Sequence, residues 1–159
     1  MRIPLPLTLA GMVAVLGTAQ LTAQTIRVGT FHQQSIVVAF YRSPIWAETL
    51  QQKRAEMAAA KQAGDAEKVR VLEKFGSSSQ DMAHRQLAGE AAIGGIVEAL
   101  RPAFAEIAGK AQVALIVAEL AYAVASVQRV DVTDLLLDWL KADESTRKIV
   151  HELRNRAAP

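Results

Sequence analysis

The chain has 159 residues, of which 18 are basic and 16 acidic, so its formal net charge is +2, and it contains no Cys. That length bounds it to one domain, the near balance of charge leaves no footprint for a nucleic-acid partner, and no disulfide is available to offset a small core. Apolar residues make up 51% of the chain but aromatics only 5%, and an Ala-rich, charge-dotted composition favours long helices over a dense aromatic interior.

The first two dozen residues read as a secretory signal peptide. Arg2 precedes the apolar run Leu5 to Leu16, and Gly17-Thr18-Ala19 follows with small residues at the cleavage position. The run is shorter than the roughly 20 residues a membrane-crossing helix needs. Residues 1–23 are therefore expected to be removed after Ala19 or Ala23, and losing Arg2 brings the charge to +1. The mature chain is expected to be periplasmic or otherwise secreted, and not membrane-spanning once processed. Stability would then come from packing and, in so small a body, from oligomerisation.

Residues 25–31 alternate with a period of two, Ile26, Val28 and Thr30 opposing Arg27, Gly29 and Phe31, and predict a strand. Ser35 to Tyr41 fits strand or helix, with helix favoured by the spacing of Ile36, Ala39 and Phe40. Ser43-Pro44 combines an N-cap residue with proline at the first helical position, so a helix should start there and run to about Ala63. Gly64-Asp65 interrupts it, a second segment spans Ala66 to Phe75, and Gly76-Ser77-Ser78-Ser79 is expected to break the pattern again.

Residues 51–90 carry seven basic and six acidic groups, the signature of a polar-surfaced, Ala-faced helical arm. Beyond Gly89, Ile93, Ile96, Val97, Leu100, Phe104 and Ile107 recur at three- and four-residue spacing, a helix that Pro102 should kink or divide. Residues 113–118 and 121–126 are expected to be two adjacent strands joined by a tight corner. Asp131 and Asp134 lead into a capped helix with Leu135, Leu136, Trp139 and Leu140, and Asp143 caps a last helix carrying Ile149, Val150 and Leu153.

This order of elements, with Ile26-Arg27-Val28, Ser43-Pro44, Val113-Ala114-Leu115-Ile116-Val117, Tyr122 and Val130-Asp131-Val132-Thr133-Asp134-Leu135-Leu136, resembles the Skp/OmpH family of periplasmic chaperones across residues 25–141. The resemblance implies a trimer that holds unfolded outer-membrane or secreted proteins without catalysis. The chain departs from the family in its short, charge-balanced arm and in a tail after Lys141 that has no counterpart there. The stretch Ala60-Lys61-Gln62-Ala63-Gly64-Asp65 is also similar to uncharacterised secreted bacterial proteins, which carry no functional implication.

Motifs for chemistry are sparse. Asp81 and His84 stand one helical turn apart, but two ligands do not make a metal site, and His32 and His151 lie far away in sequence. Ser77, Ser78 and Ser79 lack a nucleophile-elbow context. Gly94-Gly95 follows no strand, so close helix approach is expected there rather than a phosphate loop. No catalytic, cofactor or metal residue is expected. The expected fold is α+β and mostly helical: a sheet-containing body from residues 25–42 and 101–141, a coiled-coil-like hairpin arm over 44–100, and a helical tail over 143–159. Trp46, Leu50, Met57, Leu72 and Phe75 are the expected client or partner contacts, while Trp139, Leu135 and Leu136 serve the body. The alternative reading is an extracytoplasmic scaffold or adaptor whose hairpin docks one folded partner.

Overall fold

The structure, a computed structural model, describes residues 25–157, so the predicted signal peptide lies outside the described residues. Within them the order is β1 (Ile26–Thr30), α1 (Gln33–Tyr41), α2 (Pro44–Gln62), α3 (Ala66–Leu87), α4 (Gly94–Ala111), β2 (Leu115–Val117), β3 (Val127–Asp131), α5 (Thr133–Trp139) and α6 (Glu144–Ala157). The result is the expected mostly helical α+β fold around one small sheet.

That sheet has the order β2-β1-β3, and β1 pairs in parallel with both neighbours. The expected strand at 121–126 is therefore a correction. Alanine and serine there pack poorly on a pleated surface, whereas Val127 to Asp131 aligns residue for residue with Ile26 to Thr30. The two later strands are not adjacent. Residues 118–126 instead leave the carboxyl end of β2 and cross the outer face of β1 to reach the start of β3, where Arg129 donates to the Leu120 carbonyl at 3.3 Å. The outward Val28 is buried, while Tyr122 in this connection is 78% exposed.

The inner face of the sheet carries Phe31, Ile116, Val130 and Val132 into the core, which α1, α4, α5 and α6 complete. Gly29 lies in that face. A Cβ on it would stand 3.0 Å from Ile116 Cγ1 and 3.3 Å from both Val113 and Val132, so a larger residue would press on the side chains that close up around the strands. Ile36, Leu100 and Leu136 are fully buried in the core beyond.

Helix α4 lies with the body along its whole length, including residues 94–100 that were expected in the arm, because Ile96, Leu100, Ala103 and Ile107 all sit in the core cluster. Pro102 does not divide it. The buried residues on both sides of the proline, Leu100 and Ala103 among them, keep the helix continuous across it despite the lost backbone bond. The expected C-terminal helix, α6, packs along α1, with Val150 and Thr146 buried. Asp143 caps it through the Thr146 N–H at 2.7 Å. Arg42 donates to the hydroxyl of Thr146 at 2.9 Å, and Arg154 reaches Asp131 at 2.6 Å and Asp134 at 3.2 Å.

The arm is an antiparallel pair, α2 and α3. At 1.5 Å per residue its 19 and 22 residues extend about 29 and 33 Å. The turn between them is as read: Gly64 takes φ +70°, and Asp65 caps α3 by accepting from the Lys68 N–H at 2.9 Å. The expected break at Gly76-Ser77-Ser78-Ser79 is overturned, since α3 continues through it to Leu87. Ser77 and Ser79 turn their hydroxyls back onto the Lys74 and Phe75 carbonyls at 3.1 and 2.7 Å, satisfying themselves inside the helix. Buried Leu72 and Gln86 on either side hold it against its neighbours, and that tertiary packing overrides weak local propensity.

Candidate functional site

The arm joins the body at a root built from Ser43. This buried side chain donates to the Phe40 carbonyl at 2.7 Å and accepts from the Trp46 N–H at 3.3 Å, closing α1 and opening α2 with one hydroxyl. Proline at the next position removes an N–H that would have had no partner. The geometry throws Trp46 back against α1, where its ring centroid lies 5.0 Å from Tyr41 and 6.0 Å from Phe40. Phe75 of α3 stacks on the other side of Trp46 at 6.2 Å, and Lys53 stands 5.9 Å over the Phe75 ring.

A polar tie completes the root. The Tyr41 hydroxyl donates to Gln86 Oε1 at 3.0 Å, and Gln86 Nε2 donates to the Ala92 carbonyl at 2.9 Å. Burial raises the Tyr41 pKa, so the phenol remains a proton donor at any physiological pH. The end of α3, the link to α4 and the end of α1 are thereby fastened together. Nothing in the sequence signals this tie, since its partners are 45 residues apart.

The five expected contact residues are brought together, but on the inside of the hairpin. Trp46, Leu50 and Met57 share one half-buried stripe of α2 that ends at buried Ala60, and Leu72 and Phe75 occupy the facing stripe of α3, with Leu72 only 8% exposed. They form a seam. The large apolar groups the arm offers to solvent are others, Val71 at 60%, Met82 at 41% and Leu87 at 36% exposure. Val71, half-buried Phe75 and Met82 recur at spacings of four and seven residues along one flank of α3. A second exposed apolar group, Ile26, Leu115, Tyr122 and Val124, belongs to the outer side of the sheet and its crossing loop.

Where arm meets body there is an open cleft of about 540 Å³ lined by Pro44, Ile45, Glu48, Trp139, Leu140 and Lys141. Trp139 forms its wall, half-buried against the core as the body residue it was expected to be. Asp138, beside it, is engaged by Arg147 at 2.6 Å.

Asp81 and His84 both lie on the exposed side of α3, and the described residues hold no group of three or more His, Asp or Glu able to bind a metal ion. Gly94 and Gly95 open α4 with no neighbour within 4 Å of a Cβ built on either. The expected close helix approach is thus not found, and Ile93 precedes them without a side-chain cap. No helix among the described residues is long and apolar enough to cross a membrane. Comparison of the chain with protein-family models, with curated proteins and with solved structures gives no match.

Proposed function

We propose that the protein is a non-enzymatic, periplasmic holdase that binds unfolded outer-membrane or secreted polypeptides, working as a homo-oligomer. The observation that carries this reading is the arm itself. It is a two-helix projection anchored at its root by the Trp46 cluster and the Tyr41–Gln86–Ala92 tie, and it presents Val71 and Met82 to solvent amid mixed charge. Scattered apolar groups on a well-hydrated helix pair offer weak, sequence-tolerant contacts, which suit a client with no fixed shape. The outer side of the sheet supports the oligomer, because parallel sheets normally have both faces covered and Ile26, Leu115, Tyr122 and Val124 are exposed there. The resemblance to the Skp/OmpH family makes that oligomer a trimer.

The adaptor reading draws on a different observation, the cleft beside Trp139. A concavity walled by an aromatic ring suits one folded partner better than many unfolded ones.

An aggregation assay with an unfolded outer-membrane protein, run beside light scattering, separates the two. The holdase is expected to protect the client at a mass that is a multiple of the monomer, and Val71→Ser with Met82→Ser is expected to weaken protection while helix content stays unchanged. Wild type that protects no unfolded client sinks the holdase and leaves the adaptor. A folded monomer at micromolar concentration sinks the oligomer.

A further inference from the structure

His32 stands where three parts of the body meet. Its backbone N–H, at the end of β1, donates to the buried Thr133 hydroxyl at 2.9 Å, tying the β1–α1 corner to the start of α5. Its imidazole caps α1, Nδ1 accepting from the Ser35 N–H at 3.3 Å and lying 2.8 Å from the Ser35 hydroxyl. An N–H can only donate, so Nδ1 must keep its lone pair and the ring must be neutral, with its proton on Nε2. The charged groups that face it come from the other two elements. Asp131 and Asp134 stand at the β3–α5 turn, and Arg154 of α6 bridges them; α1 itself carries no charged residue. Asp131 is fully engaged: its Oδ1 accepts from the Thr133 N–H at 2.8 Å and its Oδ2 from Arg154.

We propose that His32 is a proton-operated latch on α6: neutral, it caps α1 and leaves Asp131 to Arg154; protonated, it competes for Asp131, displaces Arg154 and frees the last turns of α6. The physical reason is that a proton on Nδ1 cannot coexist with the Ser35 N–H bond. The new cation would stand beside Arg154, with Asp131 as the nearby group of opposite charge. Burial and then the charge of Arg154 hold the His32 pKa below its ordinary 6.5, with Asp131 opposing. The folded seam therefore binds fewer protons than the unfolded chain, and its stability is present above pH 6.5 and is lost as pH falls toward the lowered value. Acid would thus uncover the side of α1 on which α6 lies, a change confined to the element that the chaperone resemblance leaves without a counterpart.

The test is residue-resolved hydrogen exchange of the full chain at pH 7.5 and pH 5.0, expressed as protection factors so that intrinsic exchange cancels. Amides of residues 152–157 are expected to lose protection in wild type, by about tenfold or more at the lower pH. His32→Asn, which keeps a good cap acceptor but cannot titrate, is expected to abolish the pH dependence. His151→Gln is the control for the other imidazole on α6, bonded there to Asn155, and is expected to behave as wild type. Should His32→Asn fold poorly, wild type alone decides: the opening midpoint must coincide with the NMR titration of His32 and not with that of His84 or His151. Protection that is independent of pH, a drop that survives His32→Asn, or a drop removed by His151→Gln would each overturn the latch.

Discussion

The body and the arm are stable for different reasons. In the body large side chains interdigitate: Ile36, Leu100, Leu136, Leu137 and Leu140 are essentially withdrawn from water. Along the arm, of the residues in α2 and α3, only Ala60, Leu72 and Gln86 reach that buried class. Half-buried groups along the seam supply the rest of the contact between the limbs. Burial of apolar area sets the scale of hydrophobic stabilisation, so the arm draws less of it per residue and relies on its root to stay attached. The arm should therefore open locally at a lower free energy than the body unfolds.

The sharpest way to break the body is to empty its centre. Leu136→Ala removes a side chain with 0% exposure from the contact among α1, α4 and α5. It is expected to cost about 2–5 kcal/mol, since rigid neighbours cannot collapse into the space. Denaturant unfolding should show a lower midpoint with an unchanged slope, whereas a loss under about 1 kcal/mol would mean that the core is not close-packed there.

A smaller effect tests the sheet. Gly29→Ala forces a methyl against Ile116, Val113 and Val132, none of which presents the free end of a flexible chain. Overpacking of this kind costs about 1–3 kcal/mol. Thermal unfolding with a midpoint equal to or above wild type would show that the strands have room that the parallel β2-β1-β3 arrangement denies them.

What could be read from the chain beforehand follows the same division between local and distant causes. Strand β1, the helical choice for α1, the Ser43-Pro44 start of α2, the Gly64-Asp65 turn and the Asp143 cap were legible because each is decided by residues within one turn of each other. The apolar stripe of α4 was legible for the same reason. The strand at 127–131 was not, because Val-Gln-Arg-Val-Asp becomes a strand by pairing with β1, a hundred residues earlier. The arm residues Trp46, Leu50, Met57, Leu72 and Phe75 were legible as two stripes. That the stripes face each other depends on where Gly64 turns the chain and on α3 not breaking at Gly76. His32 gave no signal: an imidazole as helix cap carries no motif, and its neighbours Thr133 and Arg154 are over a hundred residues away.

The smallest expected effect sets the two regions against each other with one substitution. Gly76→Ala adds the same methyl as Gly29→Ala, but Gly76 lies in a continuous helix at ordinary negative φ, and nothing stands within 4 Å of a Cβ built there. No neighbour is displaced, while the unfolded chain loses backbone freedom and the helix gains a better former. The change should therefore stabilise the arm by about 0.5–1 kcal/mol. Because the gain is local, it should appear first as slower amide exchange in the middle of α3, with the global unfolding midpoint moving little. Faster exchange in Gly76→Ala would mean that the glycine is needed as a hinge, and that α3 in solution breaks where the run Gly76-Ser77-Ser78-Ser79 invites it to. Opposite signs for the two glycines would instead show that space, and not residue type, decides the role of each.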